Sequence, residues 1–187
     1  MRNVILIHGW GGSPQRDWFP WANKELTENG FNVRLPEMPD TENPRIIPWK
    51  DKLTEVVSKL EGEIIIVGHS IGCQTALRFI EKQKENFKIE KLILVAPWWF
   101  LNLSSDEEKE IARPWLESYI DFEKIKSKTG KIICVFSDND PVVPLEKNVN
   151  FFKEKLSPEI IIKNKMGHFS GDEGVTELPF LIDFILN

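Results

Sequence analysis

Apolar positions along this chain alternate between two patterns. Short, nearly unbroken β-branched runs recur at Asn3 to Ile7, Phe31 to Leu35, Glu63 to Val67, Lys91 to Val95, Lys131 to Phe136 and Glu159 to Ile162. Between them, apolar residues take helical spacing: Leu53, Val56, Val57 and Leu60, then Ala76, Leu77 and Ile80, then Leu145, Val149, Phe152 and Leu156. Runs without polar alternation belong to strands covered on both faces, and 3.6-residue spacing to helices that lie on them. The pattern therefore predicts a six-stranded, mostly parallel sheet with helices on both faces, folded as a single α/β domain over residues 1–187. In such a sheet, ligand sites open at the carboxyl ends of the strands.

The stretch from Pro97 to Tyr119 breaks this alternation. It follows a strand directly and holds Trp98, Trp99, Phe100 and Trp115, so it is expected as a short aromatic-rich insertion over the active edge. Ser104-Ser105 followed by Glu107-Glu108 has the form of a capping box, opening a helix that Pro114 should limit. The four aromatics are candidates for the walls of a substrate pocket, with plain core packing as the competing reading.

Composition removes several classes of function. The 187 residues carry 24 basic and 29 acidic side chains, net charge -5, which offers no basic face for a phosphate backbone and no polybasic membrane patch. Neither nucleic acid nor a membrane is expected as a partner. Two cysteines, Cys73 and Cys134, make no disulfide framework and sit in apolar segments, which predicts core thiols. Val4 to Ile7 is too short for a signal-peptide core, so a cytoplasmic location is the expectation.

The candidate chemistry begins at residues 64–72, where Ile64-Ile65-Ile66-Val67 runs into Gly68-His69-Ser70-Ile71-Gly72. A strand, G-x-S-x-G and a helix in that order form a nucleophile elbow, in which a sharp turn lifts the serine Oγ above the sheet edge. Gly68 and Gly72 flank Ser70 where a Cβ would strike a neighbouring strand or helix. Ile71 opens the following helix, so its free amide can donate to a developing oxyanion. A second amide is expected from Trp10, in the glycine loop Ile7-His8-Gly9-Trp10-Gly11-Gly12 after the first strand.

A serine nucleophile needs a base, and three histidines are available. His8 and His69 lie inside turns and are expected to serve as local hydrogen-bonding groups. His168, in Met166-Gly167-His168-Phe169 after the last strand, is the candidate base. The orienting acid should come from the end of the fifth strand, where Ser137-Asp138-Asn139-Asp140-Pro141-Val142-Val143-Pro144 supplies two carboxylates. Asp140 is preferred because Pro141 and Pro144 would hold it still; Asp138 remains an alternative, with Asp172 and Glu173 more distant ones.

His8-Gly9, the G-x-S-x-G elbow, Asp140-Pro-Val-Val-Pro and Gly167-His168-Phe169 together resemble a minimal α/β-hydrolase. Trp18-Phe19-Pro20-Trp21, Met38-Pro39-Asp40, Asp172-Glu173-Gly174 and Leu178-Pro179 resemble, more narrowly, the YdeN-like or retinoblastoma-binding-protein-nine-like small serine hydrolases. The resemblance runs from end to end. It implies a triad of Ser70, Asp140 and His168 in a compact fold without a large cap domain. The serine chemistry read from these residues predicts hydrolysis of small carboxylic esters, thioesters or activated amides without cofactor or metal. Because the entry loop is His8-Gly9-Trp10, no retinoblastoma-binding role is carried over. The alternative reading is an interaction protein that keeps the fold with little turnover.

Overall fold

The computed structural model describes residues 2–187. Its six strands are β1 (Arg2–Ile7), β2 (Asn32–Arg34), β3 (Glu63–His69), β4 (Ile89–Val95), β5 (Thr129–Ser137) and β6 (Glu159–Lys163). They form one sheet in the order β2-β1-β3-β4-β5-β6, with every neighbouring pair parallel. All six predicted runs are strands. The order steps outward from β1 in both directions, so chain reversal opens a crevice at the carboxyl ends of β1 and β3.

Alternate side chains explain the unbroken apolar runs. Ile5, Ile7, Ile64, Ile66, Leu92, Leu94, Cys134 and Phe136 point into one core layer, and Val4, Leu6, Ile65, Val67, Ile93, Val95, Ile133 and Val135 into the other. Both faces are covered, so both sets must be apolar. On the first face lie α2 (Ile46–Val57), α3 (Ile71–Lys82), α4 (Asp106–Glu117), α5 (Phe122–Lys128) and α6 (Leu145–Leu156). On the second lie α1 (Phe19–Glu28) and α7 (Pro179–Leu186), through Phe19, Ala22, Leu26, Leu181 and Ile185. Among the described residues, no helix is long and apolar enough to cross a membrane.

The insertion before β5 is two helices, α4 and α5, packed against the first face. Ser105 and Glu108 close the predicted capping box. Pro114 does not end the helix, however, and α4 continues to Glu117. Pro114 lies on the exposed side, where the carbonyl deprived of its donor can be solvated, and Trp115 anchors the next turn in the core. That anchoring is polar as well as apolar. The buried Arg78 of α3 donates to Trp115 O and to Ser118 Oγ, the latter at 2.7 Å, and also to Gln74 Oε1, while Gln74 Nε2 donates to Trp98 O. Burial lowers the Arg78 pKa to about 10, which leaves the guanidinium charged at neutral pH.

Candidate active site

Ser70 sits between the last residue of β3 and the first of α3, with φ 53° and ψ -117°. That is a strained conformation for a residue with a Cβ, and the surroundings hold it. Ser70 N donates to Val95 O of β4 at 2.9 Å, and Ser70 O accepts from Cys73 N at 2.9 Å. The flanking glycines are sterically required. A Cβ on Gly68 would lie 2.6 Å from Cys73 N, and one on Gly72 would overlap the carbonyl of Ile7 in β1. Ser70 is 8% exposed and lines a cleft of about 640 Å³ at the sheet's carboxyl edge.

Across the cleft stands His168. Its Nδ1 lies 2.8 Å from Asp140 Oδ2, and the Asp140 side chain is 2% exposed. The other carboxylate oxygen, Oδ1, accepts from Val142 N at 2.8 Å and Val143 N at 2.9 Å, so the turn after Pro141 holds the acid in place. Asp138 does not reach His168. Its Oδ1 accepts from Lys165 N at 2.7 Å instead. Nor do the more distant candidates: Asp172 is exposed and faces Arg16 at 3.7 Å, and Glu173 accepts from His168 N rather than from the ring.

The loop that carries His168 takes its shape from side chains of the acid loop. Lys165 N donates to Asp138 Oδ1, Met166 N to Ser137 Oγ at 3.0 Å, and Gly167 N to Asn139 Oδ1 at 2.9 Å. Three consecutive residues at the end of β5 thus hold three consecutive amides after β6. Glu173 adds the fourth, His168 N, and also accepts from Ser170 Oγ at 3.0 Å. Gly167 has φ 53°, and a Cβ there would run into the Glu173 carboxylate. Asn139 and Glu173 escaped sequence reasoning as positioning groups, because only the adjacency of the two loops assigns them.

The other two histidines are hydrogen-bonding groups, as expected, but each reaches beyond its own turn. His8 Nε2 accepts from Met38 N at 3.2 Å, so its Nδ1 bears the proton and donates to Gly9 O at 3.0 Å, with burial lowering its pKa. His69 Nε2 lies 2.8 Å from His168 O. The segment Gly9 to Gly12 lines the cleft beside Ser70 and is shaped by Gly12 N donating to Gly9 O at 3.1 Å. Ile71 occupies the first position of α3, where its amide has no acceptor within the helix. Cys73 Sγ is buried against Gly68 O and Val95 O, and desolvation raises its pKa well above the ordinary thiol value, which makes it an inert core group. Cys134 is likewise buried and its pKa raised.

The pocket expected from the aromatic insertion needs correction. Cleft walls are supplied by Trp10, Leu103, Ile111, Val142 and a charged rim of Arg16, Asp17, Glu42, Glu107, Glu108 and Asp172, with none of Trp98, Trp99, Phe100 and Trp115 among them. Asn148 of α6 explains the difference. Its Oδ1 accepts from Trp99 N at 2.6 Å and Phe100 N at 3.0 Å, and its Nδ2 donates to Phe100 O at 2.9 Å, drawing the run toward α6. Trp99 then stacks on Phe151 with ring centroids 4.8 Å apart, and Phe100 meets the same ring edge-on. Trp98 is buried under α3, and Trp115 donates from Nε1 to Pro44 O at 3.0 Å and lines a separate apolar groove between α2 and α4.

With this geometry in hand, similarity to known proteins is informative. The sequence model of a family described as serine hydrolase matches residues 4–186. YdeN of Bacillus subtilis is 27% identical over 184 residues, covering 98% of this chain and 94% of YdeN. The serine hydrolase RBBP9 of Rattus norvegicus is 28% identical over 176 residues, covering 91% and 88%. The crystal structure of the B. subtilis ydeN product superposes with a TM-score of 0.89 over 100% of this chain and 97% of that one. Est1E from Butyrivibrio proteoclasticus with ferulic acid bound shares the fold at 18% identity, TM-score 0.71, over 100% and 90% of the two chains.

Proposed function

Because the chain belongs to the serine hydrolase family, we propose that it cleaves small carboxylic esters through an acyl-enzyme on Ser70, with His168 as base and Asp140 as the orienting acid. The observation that carries this reading is the 2.8 Å contact of His168 Nδ1 with the buried Asp140 carboxylate, in the cleft that Ser70 lines. A carboxylate at Nδ1 fixes the tautomer in which Nε2 is free to accept the serine proton, and it stabilises the imidazolium that follows. Ser70 Oγ attacks the acyl carbon while its proton passes to His168 Nε2. The carbonyl electrons move to oxygen, where the Trp10 and Ile71 amides are the proposed donors. Collapse of the tetrahedral species expels the leaving group, which takes the proton from His168. Water, deprotonated by the same imidazole, then releases the acid and restores Ser70.

Cleft composition supports a short acyl group. Hydrocarbon near Ser70 is limited to Trp10, Leu103, Ile111 and Val142, and charged side chains close the rim. Thioesters and activated amides fit the same electrophilic requirement. Two buried, unpaired thiols suit a reducing compartment, and the cytoplasm is the proposed location. Labelling by a fluorophosphonate together with turnover of p-nitrophenyl acetate tests the reading. The expected result is stoichiometric modification at Ser70 with turnover. Absence of both would favour an interaction protein built on the same fold.

A further inference from the structure

We propose that His69 is a positioning residue which, as a neutral imidazole donating from Nε2, clamps the backbone of His168 to the nucleophile elbow. The inference rests on the proposed chemistry of Ser70 and His168. His69 is joined to Ser70 by a peptide bond, and its Nε2 lies 2.8 Å from the carbonyl oxygen of His168, a residue 99 positions along the chain. A carbonyl only accepts, so Nε2 carries the proton. The clamp therefore ties nucleophile and base together directly.

The opposite ring nitrogen strengthens the case. Nδ1 of His69 is fully enclosed and has no hydrogen-bond partner among the described residues. A Cβ on Gly9 would stand 3.2 Å from it, so the glycine loop closes over that side of the ring. An enclosed acceptor without a donor is costly, and an aliphatic side chain of similar volume would avoid the cost. The enclosed Nδ1, taken by itself, disfavours histidine at position 69. What the imidazole supplies, and hydrocarbon would not, is the donor at Nε2. Trp18 and Phe19 pack against the ring at centroid distances of 6.0 Å and 6.3 Å and hold its plane.

His168 has particular need of such a clamp. It lies between Gly167 at φ 53° and Phe169 at φ 56°, and a left-handed phenylalanine persists only where the surroundings over-determine it. Glu173 holds the His168 amide, Asp140 holds Nδ1, and His69 holds the carbonyl. Together these three bonds leave Nε2 as the ring atom available for proton transfer. The clamp must also tolerate a charged neighbour, since the His168 ring, 5.2 Å away, becomes cationic in each half-reaction. Burial first, and the adjacent His168 second, lower the His69 pKa to about 4, so its ring stays neutral where the base works.

Two variants and one spectroscopic measurement test the proposal. Glutamine places its Nε2 the same number of bonds from Cα as histidine does, whereas leucine keeps bulk and removes the donor. His69→Leu should lower kcat for p-nitrophenyl acetate on the order of 10²-fold, as expected for a catalytic group displaced by about 1 Å, with KM nearly unchanged. His69→Gln should recover most of that loss. In the unsubstituted protein, nitrogen-15 chemical shifts should report His69 as the neutral Nε2–H tautomer from pH 5 to 8. Wild-type kcat in His69→Leu would overturn the inference, as would equal losses in both variants, or an Nδ1–H tautomer or imidazolium in the spectrum. Should His69→Leu fail to fold, the glutamine variant and the spectrum still decide. Failure of Ser70 to label in the unsubstituted protein, by contrast, would overturn the hydrolase reading itself.

Discussion

The Ser70 elbow and the His168 loop meet in one cleft but are held by opposite means. At the elbow, conformation follows from what is missing. Gly68 and Gly72 provide the space for a tight strand-to-helix turn, and the residues concerned lie within two positions of the serine. In the His168 loop, conformation follows from what is added. Ser137, Asp138 and Asn139 each contribute an acceptor, from about 28 positions away, to successive amides of the loop. A steric rule is written locally and survives most changes elsewhere, whereas a set of side-chain acceptors depends on the register of β5 against β6. Damage to the elbow should therefore be all-or-none, and damage to the loop graded.

The largest effect is expected from Ser70→Ala, which should cost on the order of 10⁶ in turnover and abolish fluorophosphonate labelling. Its melting temperature should stay close to that of the unsubstituted protein, because the glycines rather than the hydroxyl set the turn. Appreciable residual turnover would mean that the elbow does not carry the nucleophile. Asp140→Asn comes next, at roughly 10⁴ in turnover, because an amide can donate to Nδ1 and so favour the wrong tautomer. Steady-state kinetics would measure it.

The graded behaviour of the loop is sharpest in Asp138→Asn. An asparagine Oδ1 still accepts from Lys165 N, so turnover should fall by no more than about threefold, within the range of one modest neutral hydrogen bond. An inactive Asp138→Asn beside an active Asp140→Asn would exchange the roles of the two carboxylates. The smallest effect on activity is expected from Trp99→Ala. Its stacking on Phe151 places it in the packing against α6, so urea unfolding should show a loss of about 2 kcal/mol, less than for a fully buried tryptophan. The chain-length profile for p-nitrophenyl esters should not move. A shifted profile would put Trp99 back at the substrate.

Several of the sequence expectations rest on rules that involve only neighbours in the chain. The six strands, the elbow glycines and the Ser105 to Glu108 capping box are of this kind, because sterics and backbone hydrogen bonding act over a few residues. The preference for Asp140 over Asp138 rests on the two prolines, and Asp140 Oδ2 is the carboxylate oxygen 2.8 Å from His168 Nδ1. Pro114 shows where a local rule falls short. Proline disfavours a helix interior, yet burial of Trp115 and its bonds to Pro44 O and Arg78 outweigh the lost hydrogen bond.

Rules of this kind account for the parallel sheet, the two covered faces and the turn that presents Ser70. Which walls enclose the serine depends instead on long-range packing. The aromatic run after β4 has the same composition whether it lines a cleft or packs on α6, and one buried asparagine, Asn148, sends it to α6. The same holds for His69. Its place beside Ser70 is plain in the sequence, but its bond to the His168 carbonyl exists because parallel strands bring residues 99 positions apart to a common edge. Periodicity reports which side of an element is apolar; it carries no record of the partner that side will meet, since hydrophobic burial is non-directional and the polar contacts that choose among partners form only on assembly.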